Sequence, residues 1–219
     1  MKRKKQIWIT RTMSEEQMAL AKHLNLSVQM VPMTKIQHLP FPDDTHPTQA
    51  WIFTSQNALV NIKKNNFEGI VYAAGKKTAK KLEKLGFSIR SGKDENALSL
   101  AKKIVDDGIK DACFFCGNLR RDDLPDYLKE KNILLKEKVV YETSMTPKKI
   151  EDQLGDAVFF MSPSAVESFA IMNQFKSDIN YYSIGSTTST ALKKCGVNFI
   201  QSANRASLTS MLEIYSKEN

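Results

Sequence analysis

The sequence predicts an α/β protein made of two similar lobes, each a parallel sheet flanked by helices. Three observations predict it. Short apolar strands alternate with helix-like stretches of about ten residues along the whole 219-residue chain, the rhythm of parallel sheets covered on both faces. The stretch YAAGKKTAKKLEKLGF (72–87) recurs 110 residues later as YSIGSTTSTALKKCGV (182–197), with Tyr72/Tyr182, Gly75/Gly185, Thr78/Thr188, Leu82/Leu192 and Gly86/Gly196 in register. A second pair precedes it in the same order: AWIFTSQNALVNI (50–62) resembles AVFFMSPSAVESF (157–169), with Ser55/Ser162 and Ala58/Ala165 each 107 apart. Two ordered echoes at nearly the same offset imply an internal duplication.

The elements follow in order. QIWIT (6–10) reads as a first strand, its apolar part too short for a signal peptide despite the basic start. Residues 14–24 read as a helix opened by a capping box, Ser14 as N-cap and Gln17 at N3. SVQMVP (27–32) is the next strand, and Pro40, Pro42 and Pro47 then break regular structure in a solvated loop that also holds Asp43, Asp44 and His46. AWIFT (50–54), a helix from about Gln56, GIVYAA (69–74), the Thr78 helix, FSIR (87–90), a helix over 96–107, DACFFC (111–116), a helix near 124–131 and LLKEKVVYET (134–143) complete the middle of the chain. The last segment alternates and ends polar, as a strand leaving one sheet for another unit would. AVFFM (157–161), a helix, YYSI (181–184), the Thr188 helix, NFI (198–200) and a helix from about Ser207 repeat the rhythm.

Composition narrows the function. No apolar run approaches the about 20 residues that span a bilayer, so no membrane association is expected and a cytoplasmic location is. The net charge of +8, from 32 basic and 24 acidic residues, points to anionic partners. It is spread as pairs such as Lys63–Lys64, Lys76–Lys77 and Lys193–Lys194 along helices rather than as a dense stripe with aromatics, which argues against nucleic acid. Cys113 and Cys116 form a CxxC, but inside an apolar strand and without a second ligand pair, so they read as buried packing residues and no metal is expected.

Ligands of parallel α/β sheets bind beyond the carboxyl ends of the strands, and all four echoed turns lie at such ends and open helices. A helix N-terminus offers unpaired N–H groups and a positive dipole end, which attract anions. Gly75 and Gly185 let a ligand approach the backbone. Ser55, Asn57, Thr78, Ser162, Ser164, Thr187 and Thr188 add side-chain donors, though Ser and Thr at helix starts also serve as plain N-caps. FFCGNLRRDDLP (114–125) places Gly117 and Asn118 at a further strand end, with Arg120 and Arg121 beside them. No GxSxG, HExxH, Walker lysine loop or GxGxxG is present, so the pattern is a donor-rich cleft for a ligand with several separated negative groups, without a standard nucleophile, metal or cofactor.

IFTSQNAL, AAGKKTAKKLEKLGF, FFCGNLRRDDLPDYLKEKNILLKEKVVYET, FFMSPSAVESF and SIGSTTSTALKKCGV, in that order, resemble uroporphyrinogen-III synthase over nearly the whole chain. The resemblance implies two lobes joined by a two-stranded connection, with the cleft between them. Residues 1–35 and 146–219 would form a discontinuous lobe, 38–142 the inserted one, and 33–38 with 140–146 the connections. It implies a cyclising hydro-lyase of porphyrin and haem biosynthesis, a monomer, acting on hydroxymethylbilane, a linear tetrapyrrole with eight carboxylates. The upstream enzyme that makes this substrate is a candidate partner. Water is lost to give a reactive azafulvene, and the terminal pyrrole ring is inverted through a spiro intermediate. Such catalysis is mainly positioning. Tyr141, in VVYET, matches the family's interdomain tyrosine and is the candidate acid for departure of the hydroxyl. Gln56 and Thr12 stand where the family often has proline. The competing class is a non-catalytic two-lobed anion-binding or regulatory homologue of the same fold.

Overall fold

The computed structural model describes residues 6–41, 48–62, 67–90, 96–150, 155–203 and 205–218. It opens with β1 (Gln6–Ile9), α1 (Glu15–His23), β2 (Ser27–Met30) and β3 (Thr34–His38). Then come β4 (Ala50–Phe53), a 3₁₀ turn (Gln56–Leu59), β5 (Ile70–Ala73), α2 (Lys76–Lys84), α3 (Ala97–Asp106), β6 (Asp111–Gly117), α4 (Asp123–Glu130) and β7 (Leu134–Met145). The last third holds β8 (Ala157–Phe160), α5 (Pro163–Met172), β9 (Asn180–Ser183), α6 (Ser186–Lys194), β10 (Ile200–Ser202) and α7 (Leu208–Glu218). The chain divides into two units, Met1–Lys35 with Ser144–Asn219, and Ile36–Thr143. No helix among the described residues is long and apolar enough to cross a membrane.

In the first unit the sheet order is β10-β9-β8-β1-β2, every neighbouring pair parallel. In the second it is β3-β7-β6-β4-β5, with β5, β4, β6 and β7 parallel. The duplication is therefore built into the topology. β8 and β9 stand for β4 and β5, while β1–α1–β2 stands for β6–α4–β7, placed first in one unit and last in the other. Even the β9–β10 pairing has a trace in the second unit, a single parallel bridge from Val71 to Ile89.

Four-residue strands buried along their whole length, AWIF and AVFF, explain why both faces of each sheet carry helices. In the second unit Ala50, Ile52 and Tyr72 pack towards α3 and α4, while Trp51, Phe53 and Val71 pack with the 3₁₀ turn and α2. The first unit repeats this: Val158, Phe160 and Tyr181 face α5 and α6, and Ile7, Ile9 and Phe159 face α7.

Most predicted elements are present within a residue or two. The Ser14 capping box forms as read, Ser14 Oγ accepting from Gln17 N and Gln17 Oε1 from Ser14 N. Three expectations are corrected, while TKIQH (34–38), within the 33–38 segment that the resemblance gave to the two-stranded connection, is a strand beside β7 that its mostly exposed, polar residues do not mark. FSIR (87–90) makes only the Ile89 bridge. The helix expected from Gln56 is one 3₁₀ turn, with Val60 exposed beyond it. The last strand is Ile200–Ser202 rather than 198–200, and Phe199 is 90 % exposed. Pro42, Asp43, Asp44, His46, Pro47, Lys63 and Lys64 lie outside the described residues. Cys113 and Cys116 are buried in β6 and Cys195 is exposed, none of them disulfide-bonded.

Candidate functional site

Parallel register brings the carboxyl ends of neighbouring strands to one edge. In the second unit Phe53 pairs with Ala73 and with Phe115, and Gly117 with Tyr141. The turns after β5, β4 and β6 therefore stand side by side, about 4.8 Å apart per strand, with Tyr141 next in the row. That edge collects Gly75, Thr78, Ser55, Asn57, Gly117, Asn118 and Tyr141. In the first unit the pairing of Phe160 with Ser183 sets the turn of Ser162 and Ser164 beside that of Gly185, Thr187 and Thr188.

The echoed turns fall into two kinds. Ser55 and Ser162 are working caps: Ser55 Oγ accepts from Asn57 N at 3.2 Å, and Ser162 Oγ accepts from Ala165 N at 3.2 Å and lies 3.0 Å from Ser164 Oγ. The helices opened by Gly75 and Gly185 have no side-chain cap hydrogen bond among the described residues. Thr188 N donates to Gly185 O at 3.1 Å and Ala79 N to Gly75 O at 3.1 Å, and each helix presents the positive end of its dipole to an incoming acceptor. A Cβ built on either glycine meets nothing within 4 Å, so both face open space. Gly75 needs to be glycine for its backbone, with φ at +79°, whereas Gly185 is extended at φ 173°.

The two helix starts share one burial pattern. Lys76 and Lys77 are exposed and Thr78 is buried; Ser186 and Thr187 are exposed and Thr188 is buried. The threonines point inward because each stands one turn before a buried leucine, Leu82 or Leu192, on the same helix face. Exposure is 5 % for Thr78 and 1 % for Thr188, and Thr188 Oγ1 has no hydrogen-bond partner among the described residues. Ser189 on the next turn joins Ser183 and Ser202 in a triangle of hydroxyls 2.6, 2.8 and 2.7 Å apart, which ties α6 to the ends of β9 and β10.

Gly117, Asn118 and Tyr141 form a single assembly. The ladder between β6 and β7 skips a residue after Cys116, so Gly117 comes opposite Tyr141. A Cβ on Gly117 would lie 2.4 Å from the Tyr141 ring, which rests directly on the glycine. Asn118 holds the far side: its side-chain amide exchanges two hydrogen bonds with the Thr143 backbone, at 2.8 and 3.2 Å. Its side chain is thus spent on the strand, while its backbone N donates to Tyr141 O at 3.3 Å. Arg120 and Arg121 are also committed, Arg120 to Glu137 and Asp122 and Arg121 to Asp123. Burial pushes the Cys116 thiol up to about 11, so it is no nucleophile near neutral pH.

Sequence reasoning passed over Arg11, which follows β1 at the same edge of the first unit. It is half-buried, and burial lowers its pKa. Among the described residues no group of three or more His, Cys, Asp or Glu gathers to hold a metal. The arrangement offers backbone N–H groups, hydroxyls and one tyrosine at strand ends: a set suited to holding carboxylates in place.

The sequence profile of one family, described as uroporphyrinogen-III synthase HemD, matches residues 17–213. None of the curated proteins compared with the chain matches it. Among solved structures, uroporphyrinogen-III synthetase from Helicobacter pylori is similar at 21 % identity, with 99 % of this chain and 100 % of that chain covered and a TM-score of 0.70. A mutant uroporphyrinogen III synthase from the extremely thermophilic bacterium Thermus thermophilus is similar at 17 % identity, with 97 % of each chain covered and a TM-score of 0.69. Both share the fold of this chain.

Proposed function

The chain belongs to the uroporphyrinogen-III synthase family, and on that premise we propose that it cyclises hydroxymethylbilane to uroporphyrinogen III, losing water and inverting the terminal pyrrole ring. The observation that carries this reading is the family match over 17–213, which takes in every strand-end turn described above except that after β1. The chain is a cyclising enzyme of porphyrin biosynthesis, and a non-catalytic anion-binding homologue is not favoured.

The substrate carries eight carboxylates and closes in the wrong sense when left alone, so the enzyme's work is to hold a folded geometry. We assign carboxylate binding to the helix starts at Gly75 and Gly185, each open and without a side-chain cap among the described residues, with the Ser55, Asn57, Ser162, Ser164 and Thr187 turns beside them. Backbone N–H groups suit this task because they bind carboxylates without titrating. Thr78 and Thr188 contribute from beneath, as buried hydroxyls in the first turns of these helices. Tyr141 is the proton donor to the departing hydroxyl, which leaves as water, and Gly117 and Asn118 set its position. The same reading expects a monomer in the cytoplasm, with the enzyme that makes hydroxymethylbilane as its supplier.

The test supplies freshly made hydroxymethylbilane and separates the uroporphyrin isomers after oxidation. Type III isomer formed faster than the spontaneous reaction is expected. Type I product alone, at the spontaneous rate, refutes the reading.

A further inference from the structure

Arg11 stands at the carboxyl end of β1, the strand between β8 and β2. The backbone there is pinned. Thr10 is 1 % exposed; its N–H and its hydroxyl both donate to Phe159 O, at 3.1 and 3.0 Å, and the hydroxyl accepts from Met161 N at 3.3 Å. Arg11 therefore departs from a fixed point beside the chain that leads into Ser162 and α5.

The side chain is not matched in the same way. Its Nε is enclosed and has no partner among the described residues. Its Nη2 makes one long contact, 3.4 Å to Gln17 Oε1, an oxygen that already accepts from Ser14 N at 3.1 Å. No carboxylate among the described residues offsets its charge, and burial alone bears on its ionisation, pulling it down. Arg90, Arg120 and Arg121 differ, each pairing with an acid: Asp107, Glu137 with Asp122, and Asp123. A half-buried guanidinium without a counter-charge is costly, and its planar fork fits a carboxylate with two parallel hydrogen bonds.

We infer that Arg11 receives one carboxylate of the substrate, turning away from Gln17 so that its fork engages both oxygens. The inference rests on the polycarboxylate reading above and deepens it. It extends the donor row of the first unit from Gly185 and Ser162 across to β1, and adds a fixed positive charge to a row of neutral donors. Arg11 is a binding residue, not a proton carrier.

The test compares wild type with Arg11→Gln and Arg11→Lys. In Arg11→Gln, KM for hydroxymethylbilane is expected to rise about tenfold to a hundredfold, the worth of a charge-assisted pair, with a smaller change in kcat. Arg11→Lys keeps the charge without the fork and falls between. The unfolding temperature of Arg11→Gln is expected not to fall, since the lost charge has no acidic partner among the described residues and only one long contact, to Gln17. Added salt is expected to raise the KM of wild type more than that of Arg11→Gln. Binding of uroporphyrin, a macrocycle with the same eight carboxylates, read by fluorescence quenching, gives the same comparison without turnover. Wild type that binds uroporphyrin but forms only type I product would refute the cyclase reading and leave Arg11 testable. An Arg11→Gln protein whose KM and uroporphyrin affinity stay within about twofold of wild type overturns the inference. So does a loss that comes with a lowered unfolding temperature and an unchanged salt response.

Discussion

Gly117→Ala displaces Tyr141 without altering it. The new Cβ would lie 2.4 Å from ring atoms Cε2 and Cζ and 2.8 Å from the hydroxyl oxygen. Packed carbon atoms sit about 3.5–4.0 Å apart, so the ring must retreat by about 1 Å or more. It has little room to do so, because it packs against the cluster that includes Trp51, Phe53 and Phe115. Gly117 is not among the glycines at positive φ, so the cost is crowding and not backbone strain. Overpacking of this kind costs about 1–3 kcal/mol, and a 1 Å misplacement of a catalytic group costs up to about a hundredfold in rate.

Urea unfolding is therefore expected to show Gly117→Ala less stable by about 1–3 kcal/mol, and turnover of hydroxymethylbilane to fall by about tenfold to a hundredfold. A double-mutant cycle with Tyr141→Phe separates the two effects. If Gly117 acts through the tyrosine hydroxyl, the double variant turns over about as slowly as Tyr141→Phe alone, while keeping the full stability loss. Full turnover in Gly117→Ala would refute the reasoning. A double variant slowed by the product of the two single losses would refute it equally.

Gly75→Ala is expected to destabilise by roughly 1–3 kcal/mol, because φ is +79° there, while Gly185→Ala at φ 173° leaves the unfolding midpoint nearly unchanged; equal losses would refute the distinction. Thr188→Val replaces a buried hydroxyl that has no partner among the described residues, so stability should hold or rise while KM increases; a loss beyond about 1 kcal/mol would reveal an internal partner. Burial raises the Cys116 thiol from 9.0 to about 11 and the Tyr215 hydroxyl from 10.0 to about 12, so the folded state holds these protons more tightly than the unfolded chain. Their contribution is full below the unfolded values and is lost as pH rises through the folded ones. Urea midpoints should therefore fall from about pH 9 upward, and Cys116→Ala should flatten that fall between 9 and 11; an unchanged slope would count against the assignment.

The sequence displayed what rests on local pattern. Alternating apolar runs gave the strands, Ser14 and Gln17 gave a cap with both bonds in place, and the Gly–Thr–Leu spacing marked the duplicated helix starts. That same spacing already implied that Thr78 and Thr188 face inward with Leu82 and Leu192. Properties that depend on distant neighbours stayed hidden. TKIQH forms a strand because β7 lies beside it, not because its own side chains are apolar. Gly117 reads as one more turn glycine until Tyr141, 24 residues on, is seen resting on it. Arg11 and Arg120 look alike as letters, yet one is tied to two acids and the other to none among the described residues.

Duplication accounts for half of what the proposed reaction requires, and divergence for the rest. On the proposed reading, matched helix starts at Gly75 and Gly185 would let each unit hold carboxylates by the same physics, which suits a substrate whose four rings carry similar arms. A pair of like sites cannot by itself decide which ring is inverted. That choice needs groups present in one unit and absent from the other, and they occur at corresponding places. Strand β6 of the second unit ends in Cys116 and Gly117, with Tyr141 seated on the glycine, whereas its counterpart in the first unit, β1, leads into Thr10 and Arg11. On this reasoning, losses at the shared turns should weaken binding while leaving the isomer ratio of the enzymatic product intact. Losses at Tyr141 or Arg11 should shift product towards type I. Isomer analysis across Gly185→Ala, Tyr141→Phe and Arg11→Gln decides it: if Gly185→Ala raised the type I share as much as the other two, the division of labour would be wrong.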